Sequence, residues 1–354
     1  MIMGRSALRC LLLLIVVGLA LTVGSGLVRA AEPCQTDEPC DTLAPVAAAV
    51  QPTDPPLPAG ANGSDKPANF VEWVSLRQNT YTHDAPAGRR IQMLYTWGTW
   101  LAIQNKVVVN GETWLETTSG RWVYGDDTEP WEPSRLRGYH YNGTETGQLG
   151  FILEDDTPVY AGPRQSAGTV QSLARFTPVF LVGRENGWWK LGPGQYVHPE
   201  AVREVKRAAR PSEAGPDDKW IDINLTQQTV TAYVGNTPIF ATLASTGKDP
   251  TPTITGVFHI YEKKIGEFMA GGWADKDPYI LEEVPWTMYF TQRYAIHGAY
   301  WHDEYGEVRS HGCVNITPED AKFLFTWAGP VVPPGQLKVT ASPSNLGTWV
   351  SVHD

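Results

Sequence analysis

The chain has 354 residues, 42% of them hydrophobic and 19% charged, enough apolar side chain for packed cores and more length than one small domain needs. Its net charge is −10, and its Lys and Arg are scattered rather than clustered. That excludes a nucleic-acid partner held through phosphates, which needs concentrated positive charge.

The chain opens like an export signal. Arg5 and Arg9 precede a 13-residue apolar run, Leu11 to Val23, and Val28-Arg29-Ala30 offers a cleavage site after Ala30. A membrane span needs about 20 residues, so the run is short for one, and a retained anchor is the alternative. Residues 1–30 are therefore expected to be a signal peptide and the mature protein to be extracytoplasmic, in the periplasm or cell wall. Residues 31–68 (Gln51-Pro52-Thr53-Asp54-Pro55-Pro56 among them) are rich in Ala, Pro, Gly and Asp and read as a disordered linker. Cys34 and Cys40 lie within it, and an oxidising compartment allows them to pair.

Residues 69–205 contain two similar halves. Asn79-Thr80-Tyr81-Thr82, Asn110-Gly111-Glu112-Thr113-Trp114 and Gly120-Arg121-Trp122-Val123 in the first answer to Thr157-Pro158-Val159-Tyr160, Glu185-Asn186-Gly187-Trp188-Trp189 and Gly194-Gln195-Tyr196-Val197 in the second. Short apolar runs broken by Asn-Gly and Gly-Pro signals predict strands and hairpins. The repeated order resembles bacterial SH3-like modules, expected at 69–130 and 149–205 with a connector at 131–148. The resemblance implies glycan or wall peptide as their partners, or a role as spacers. Residues 206–218 read as a second linker.

Strand signals return at Trp220-Ile221-Asp222-Ile223-Asn224-Leu225, Gln228 to Val234, Pro238 to Ser245 and Gly256 to Tyr261. Thr317-Pro318-Glu319-Asp320 predicts a helix start, with Thr as N-cap, Pro at the first helical position and acids in the first turn. The helix should run through Trp327 and stop before Gly329-Pro330, with a closing strand at Gln336 to Ala341.

The chemistry concentrates between these last elements. Cys313 is 16 residues after His297, with Gly298 following the histidine and Gly312 preceding the cysteine. A strand ending at His297, an excursion through Trp301 to Glu307 and a return over Ser310 to Asn315 would lay imidazole beside thiol. The thiolate is the nucleophile, and a cysteine needs such a neighbour to reach that state at neutral pH. Gly312 could aim its own N–H and that of Cys313 at a developing oxyanion. The bland reading is a buried structural thiol. A metal site from His297, His302, His311 and Cys313 lacks the spacing of zinc sites, so no metal or other cofactor is expected. Trp301-His302-Asp303-Glu304 reads as loop surface.

His297-Gly298 followed by Ser310-His311-Gly312-Cys313-Val314-Asn315 resembles the signature of the L,D-transpeptidase catalytic domain. The likeness extends through Trp220-Ile221-Asp222, Ser245-Thr246-Gly247, Thr251-Pro252-Thr253 and Val284-Pro285-Trp286-Thr287-Met288-Tyr289-Phe290, over residues 219–341, leaving 342–354 as a tail. It implies a mainly β chain with two small barrels and a β-rich catalytic domain carrying one helix after the cysteine. It also implies an acyltransferase acting on peptidoglycan stem peptides. Cys313 would be the nucleophile and His297 the general base, oriented by the Gly298 carbonyl. The N–H groups of His311, Gly312 and Cys313 would form the oxyanion hole. Ser310, His311 and Asn315 would shape the site, Met269 and Tyr279 would belong to a substrate-covering flap around Gly266 to Pro278, and Arg309 is placed to meet a carboxylate. Papain-like endopeptidases put the cysteine before the histidine, the reverse of the order here. An L,D-carboxypeptidase using water as acceptor and an inactive wall-binding protein are the remaining alternatives.

Overall fold

A computed structural model describes residues 72–96, 98–272 and 277–354. The expected signal peptide, the linker at 31–68 and the Cys34–Cys40 pair lie outside the described residues.

The first module runs through β1 (Glu72–Leu76), β2 (Thr80–His83), β3 (Arg90–Leu94), β4 (Thr99–Val109), β5 (Glu112–Thr117), β6 (Trp122–Tyr124) and β7 (Thr128–Trp131). After β8 (Tyr139–His140) comes a second series. It comprises β9 (Gln148–Ile152), β10 (Thr157–Tyr160), β11 (Thr169–Leu173), β12 (Pro178–Leu181), β13 (Gly183–Glu185), β14 (Trp188–Gly192), β15 (Gln195–Val197) and β16 (Val202–Glu204). The two series share their pairing. β1 pairs with β4 and β7 as β9 does with β12 and β16, and β2 pairs with β3 and β6 as β10 does with β11 and β15. The long β4 does in one strand what β12 and β13 do in two. In both halves the Asn-Gly step makes the hairpin, with Asn110 and Gly111 at φ 54° and 85° and Asn186 and Gly187 at 49° and 85°. Positive φ at both positions is what a two-residue hairpin with the sheet's own twist demands. Each half closes around its own apolar cluster, Val74, Leu101, Ile103 and Val123 in one and Ile152, Val159, Val179 and Val197 in the other.

The C-terminal part contains β17 (Lys219–Asn224), β18 (Thr229–Val234), β19 (Thr237–Leu243), β20 (Gly256–His259), β21 (Glu262–Gly271), β22 (Tyr279–Tyr289), β23 (Ala295–Gly298), β24 (Val314–Ile316), the helix α1 (Pro318–Trp327), β25 (Lys338–Thr340) and β26 (Trp349–His353). The chain is thus mainly β, and α1 is its one α-helix among the described residues, directly after the cysteine. Thr317 caps it, its side chain accepting from the Asp320 N–H. Leu324 and Phe325 on its inner face pack against Ile221, Ile223, Val230, Ile296, Val314 and Val350. At about 1.5–3 kcal/mol for each large apolar side chain removed from water, that cluster, more than helix propensity, holds α1 in place.

Two stretches differ from expectation. Trp349–His353, expected as tail, is a strand of the six-stranded sheet β20-β26-β17-β18-β19-β8, parallel to β17 over five residue pairs. Its alternation of buried Val350 and Val352 with half-buried neighbours carries the burial, but a terminal position hid it. Tyr139–His140, expected as connector, adds an edge strand to the same sheet beside β19. A second continuity matters more for function. β22 pairs in parallel with β4, Ile280 opposite Thr99 and Leu281 opposite Trp100, so one 12-stranded sheet joins the first module to β23 and β24.

Candidate active site

β23 and β24 lie parallel, with Ile296 opposite Val314 and His297 opposite Asn315. Cys313 stands one residue before β24, and strand alternation puts Cys313 and Asn315 on the same face as His297. The return that carries the cysteine is pinned by the short motifs upstream. Ser245 exchanges both backbone hydrogen bonds with Asn315, at 2.8 and 2.9 Å, and the Thr246 carbonyl accepts from Arg309 and Ser310. The Thr253 hydroxyl accepts from the Gly247 N–H at 2.9 Å and donates to the Gly312 carbonyl at 2.7 Å. Gly312 has φ 120°, and a Cβ there would come within 2.7 Å of the Tyr294 ring. Only glycine fits that turn.

Cys313 is the free cysteine of the described residues and is half-buried. Its thiol points to the Arg293 carbonyl, with Sγ to O at 3.8 Å, and the Ala295 N–H supports the sulfur from the backbone. Burial nevertheless pushes the thiol up to about 11. His297 is 2% exposed. Its Nδ1 lies 3.3 Å from the Gly298 carbonyl, which takes the Nδ1 proton and leaves Nε2 as the basic nitrogen. Burial pulls this imidazole down to about 4, against a smaller upward pull from the Gly298 carbonyl. Both shifts favour the neutral forms, thiol and imidazole, over a thiolate–imidazolium pair.

A cavity of about 960 Å³ opens over this pair. His297, Ser310, His311, Cys313 and Asn315 line it together with Met269, Tyr279 and Arg309. Gly298 and Gly312 act through their backbones. The Gly312 N–H donates to Ser310 Oγ at 3.1 Å, so of the three N–H groups the resemblance offers an oxyanion, this one is already engaged. Ser310 Oγ in turn donates to the Cys313 carbonyl. The hairpin of β21 and β22 brings Met269, opposite Leu281, and Tyr279 to the cavity. Tyr279 packs on the His311 ring at 5.0 Å between centroids. Asp277, just before β22, binds Lys248 Nζ at 2.7 Å and lies 3.4 Å from His311 Nε2. Its carboxyl is held below the usual range, first by the Lys248 hydrogen bond. Arg309 pairs with Glu304 at 2.6 Å.

The C-terminal segment matches the model of the YkuD family, the L,D-transpeptidase catalytic domain, over residues 218–352. Residues 218–352 are an L,D-transpeptidase catalytic domain. A protein of Bacillus subtilis strain 168 named as an L,D-transpeptidase, YciB, is 26% identical over 151 residues, which are 36% of this chain and 75% of that one. The catalytic domain of an Enterococcus faecium L,D-transpeptidase is 28% identical, covering 40% of this chain and all of its own, with a TM-score of 0.31. An L,D-transpeptidase of Mycobacterium smegmatis is 17% identical over 69% of this chain and 91% of its own, with a TM-score of 0.33.

Within the L,D-transpeptidase domain, three residues near the thiol escaped the sequence reading. His302, read as loop surface, is 5% exposed. Its Nε2 lies 2.9 Å from Asn315 Nδ2, and its Nδ1 accepts from the Glu304 N–H at 3.2 Å. A histidine flanked by Asp303 and Glu304 looks polar in sequence. What buries it is Tyr305, whose ring lies against it at 4.9 Å and whose hydroxyl donates to the Ala299 carbonyl. Arg293 lines the cavity as well as holding the thiol through its carbonyl. Trp301 lies against His297 at 5.7 Å between ring centroids.

Proposed function

We propose that the protein is a peptidoglycan L,D-transpeptidase that works by a thioester on Cys313. The observation that carries this reading is the parallel register of β23 and β24, with His297 and Cys313 on one face under one cavity.

The reaction follows from the neutral resting state. As Sγ attacks the carbonyl between an L-centre diamino acid and D-Ala, His297 Nε2 takes the thiol proton, and the imidazolium is held by the Gly298 carbonyl. The tetrahedral oxyanion takes hydrogen bonds from the backbone N–H groups of His311 and Cys313, the Gly312 N–H being held by Ser310 Oγ. The C–N bond then breaks, the D-Ala nitrogen takes the proton from His297, and D-Ala leaves. An amine of a second stem gives a proton to His297, attacks the thioester, and the C–S bond breaks to restore the thiol. A carbonyl suffices to orient the histidine, since it needs one acceptor on Nδ1 and no negative charge. The signal expected at residues 1–30 and a wall substrate would both call for an enzyme outside the cytoplasm.

Intact-mass spectrometry with a tetrapeptide stem tests the assignment. Wild type should gain the mass of an acylated tripeptide and lose it on addition of an amine, and Cys313→Ala should do neither. Turnover by Cys313→Ala would sink the reading. Release by water alone would convert it to an L,D-carboxypeptidase.

A further inference from the structure

The lining of the catalytic cavity is not confined to residues 218–352. Thr96, Gly98 and Trp100, all from the first β-module, contribute to it beside Met269, Tyr279 and Cys313. They are there because β22, the outgoing strand of the flap hairpin, is shared. The Ile280 N–H donates to the Gly98 carbonyl at 2.7 Å before the β4 pairing begins. Gly98 has φ 78°, and a Cβ there would meet the Pro278 carbonyl oxygen at 2.2 Å, so only glycine lets the two chains approach this closely.

Further contacts hold the same strand and the wall behind it. Ser119, in the turn between β5 and β6, donates to the buried Glu282 carboxylate at 2.7 Å. Trp73 of β1 stacks on Tyr300 at 4.6 Å between centroids and 14° between planes. The Trp131 indole N–H donates to the Tyr300 carbonyl. Tyr300 abuts Trp301, which abuts His297. Trp100 belongs to this aromatic cluster and is half-buried, with part of its surface in the cavity. Without the module, the start of β22 around Ile280 and Leu281 would be an open edge, and that side of the cavity would be missing.

We propose that the first β-module is a wall of the catalytic cavity, and that Trp100 is a specificity-determining residue which packs against the apolar part of the donor peptide. The substrate half of this rests on the transpeptidase reading above; the wall does not. An indole face suits methylene and methyl groups, while Lys248, Arg293 and Arg309 supply the cationic lining for carboxylates.

The test uses the full chain and two readouts. The first needs no substrate: the rate of Cys313 alkylation by a bulky maleimide dye relative to iodoacetamide. Trp100→Ala and Gly98→Val should raise that ratio several-fold and Trp100→Phe should stay near wild type. Thr96→Trp, at an exposed position that tolerates bulk, should lower it and guards against variants that fail to fold. Ratios that all match wild type would overturn the wall. The second readout is acylation by a tetrapeptide stem, where Trp100→Ala should lower kcat/KM about tenfold, mainly through KM. A variant acylated as fast as wild type would overturn the specificity role while the transpeptidase reading stood. A wild type that resists every stem, with altered alkylation in the variants, would sink that reading and the specificity role and leave the wall in place.

Discussion

Asn315 Nδ2 and His302 Nε2 lie 2.9 Å apart in the buried floor of the site. The Glu304 N–H occupies His302 Nδ1. The other amide atom of Asn315, Oδ1, is buried without a partner, so the contact with His302 is the one side-chain hydrogen bond that fixes this cavity-lining residue among the described residues. His302 is therefore a positioning residue for Asn315.

His302→Leu should cost about 1–3 kcal/mol of stability by stranding buried Asn315 and should also lower kcat/KM. His302→Gln, which keeps a polar partner for Asn315, should recover most of the activity. Urea midpoints with steady-state kinetics check both. Equal activity in the two variants would show that only packing matters.

The two buried histidines give the pH dependence. Burial lowers His297 to about 4 and His302 to about 3, from an ordinary value of 6.5. Below pH 6.5 the unfolded chain takes up protons that the folded chain refuses, so stability falls as pH drops from 6.5 to about 4. The loss is on the order of 3 kcal/mol per histidine at pH 4. Urea midpoints measured between pH 7 and pH 4 should show this slope, and it should be shallower in His302→Gln.

If His297 is the base proposed above, the same shift should keep it competent in mild acid. At pH 5 a histidine of ordinary pKa would leave the enzyme about thirty-fold less active than at its plateau. Activity close to the plateau at pH 5 is expected instead, read as kcat/KM on a stem peptide. A midpoint near 6.5 would contradict the burial argument.

What the sequence made legible was local. The helix from Thr317 to Trp327 was readable because its cap, first-turn Pro and acids all act within four residues. Both Asn-Gly hairpins were readable because positive φ favours those residues. Cys313 and His297 stood out because thiol, imidazole and glycine coincide. The pairing of β22 with β4 was not legible, since it joins segments some 180 residues apart (280 − 99 = 181) through backbone alone. Trp100 and Trp131 were visible as aromatics, but nothing in their neighbourhoods says that they belong to the aromatic cluster behind His297. His302 was misplaced because burial there is imposed by Tyr305 from above rather than by its own neighbours.

The last strand should report its own titration. His353 Nε2 lies 2.9 Å from buried Asp222, and that hydrogen bond raises the imidazole to about 9 despite opposing burial. Burial raises the Asp222 carboxyl too, and the hydrogen bond and charge of His353 pull it partly back down. A raised histidine stabilises fully below its unfolded value near 6.5 and loses that contribution as pH climbs through 9. His353→Ala should thus lower the melting temperature at pH 6, with the gap to wild type narrowing by pH 10. A gap independent of pH would point to strand packing alone.

The cationic lining should decide which substrates enter. Lys248 is tied to Asp277 and Arg309 to Glu304, whereas Arg293 has no carboxylate partner among the described residues. Its carbonyl meets the Cys313 thiol, so its guanidinium starts from a backbone position fixed beside Cys313. An unpaired guanidinium in a cavity is the group best suited to a substrate carboxylate, which it can bind through two parallel hydrogen bonds. Arg293→Gln should therefore raise KM for a stem ending in a free carboxylate about tenfold, in line with the 1.5–3 kcal/mol typical of a charged hydrogen bond. The amidated stem should bind wild type and variant alike. Equal losses for both peptides would mean that the substitution disturbs the thiol through the backbone, and the carboxylate would then have to be met by Arg309 after release from Glu304.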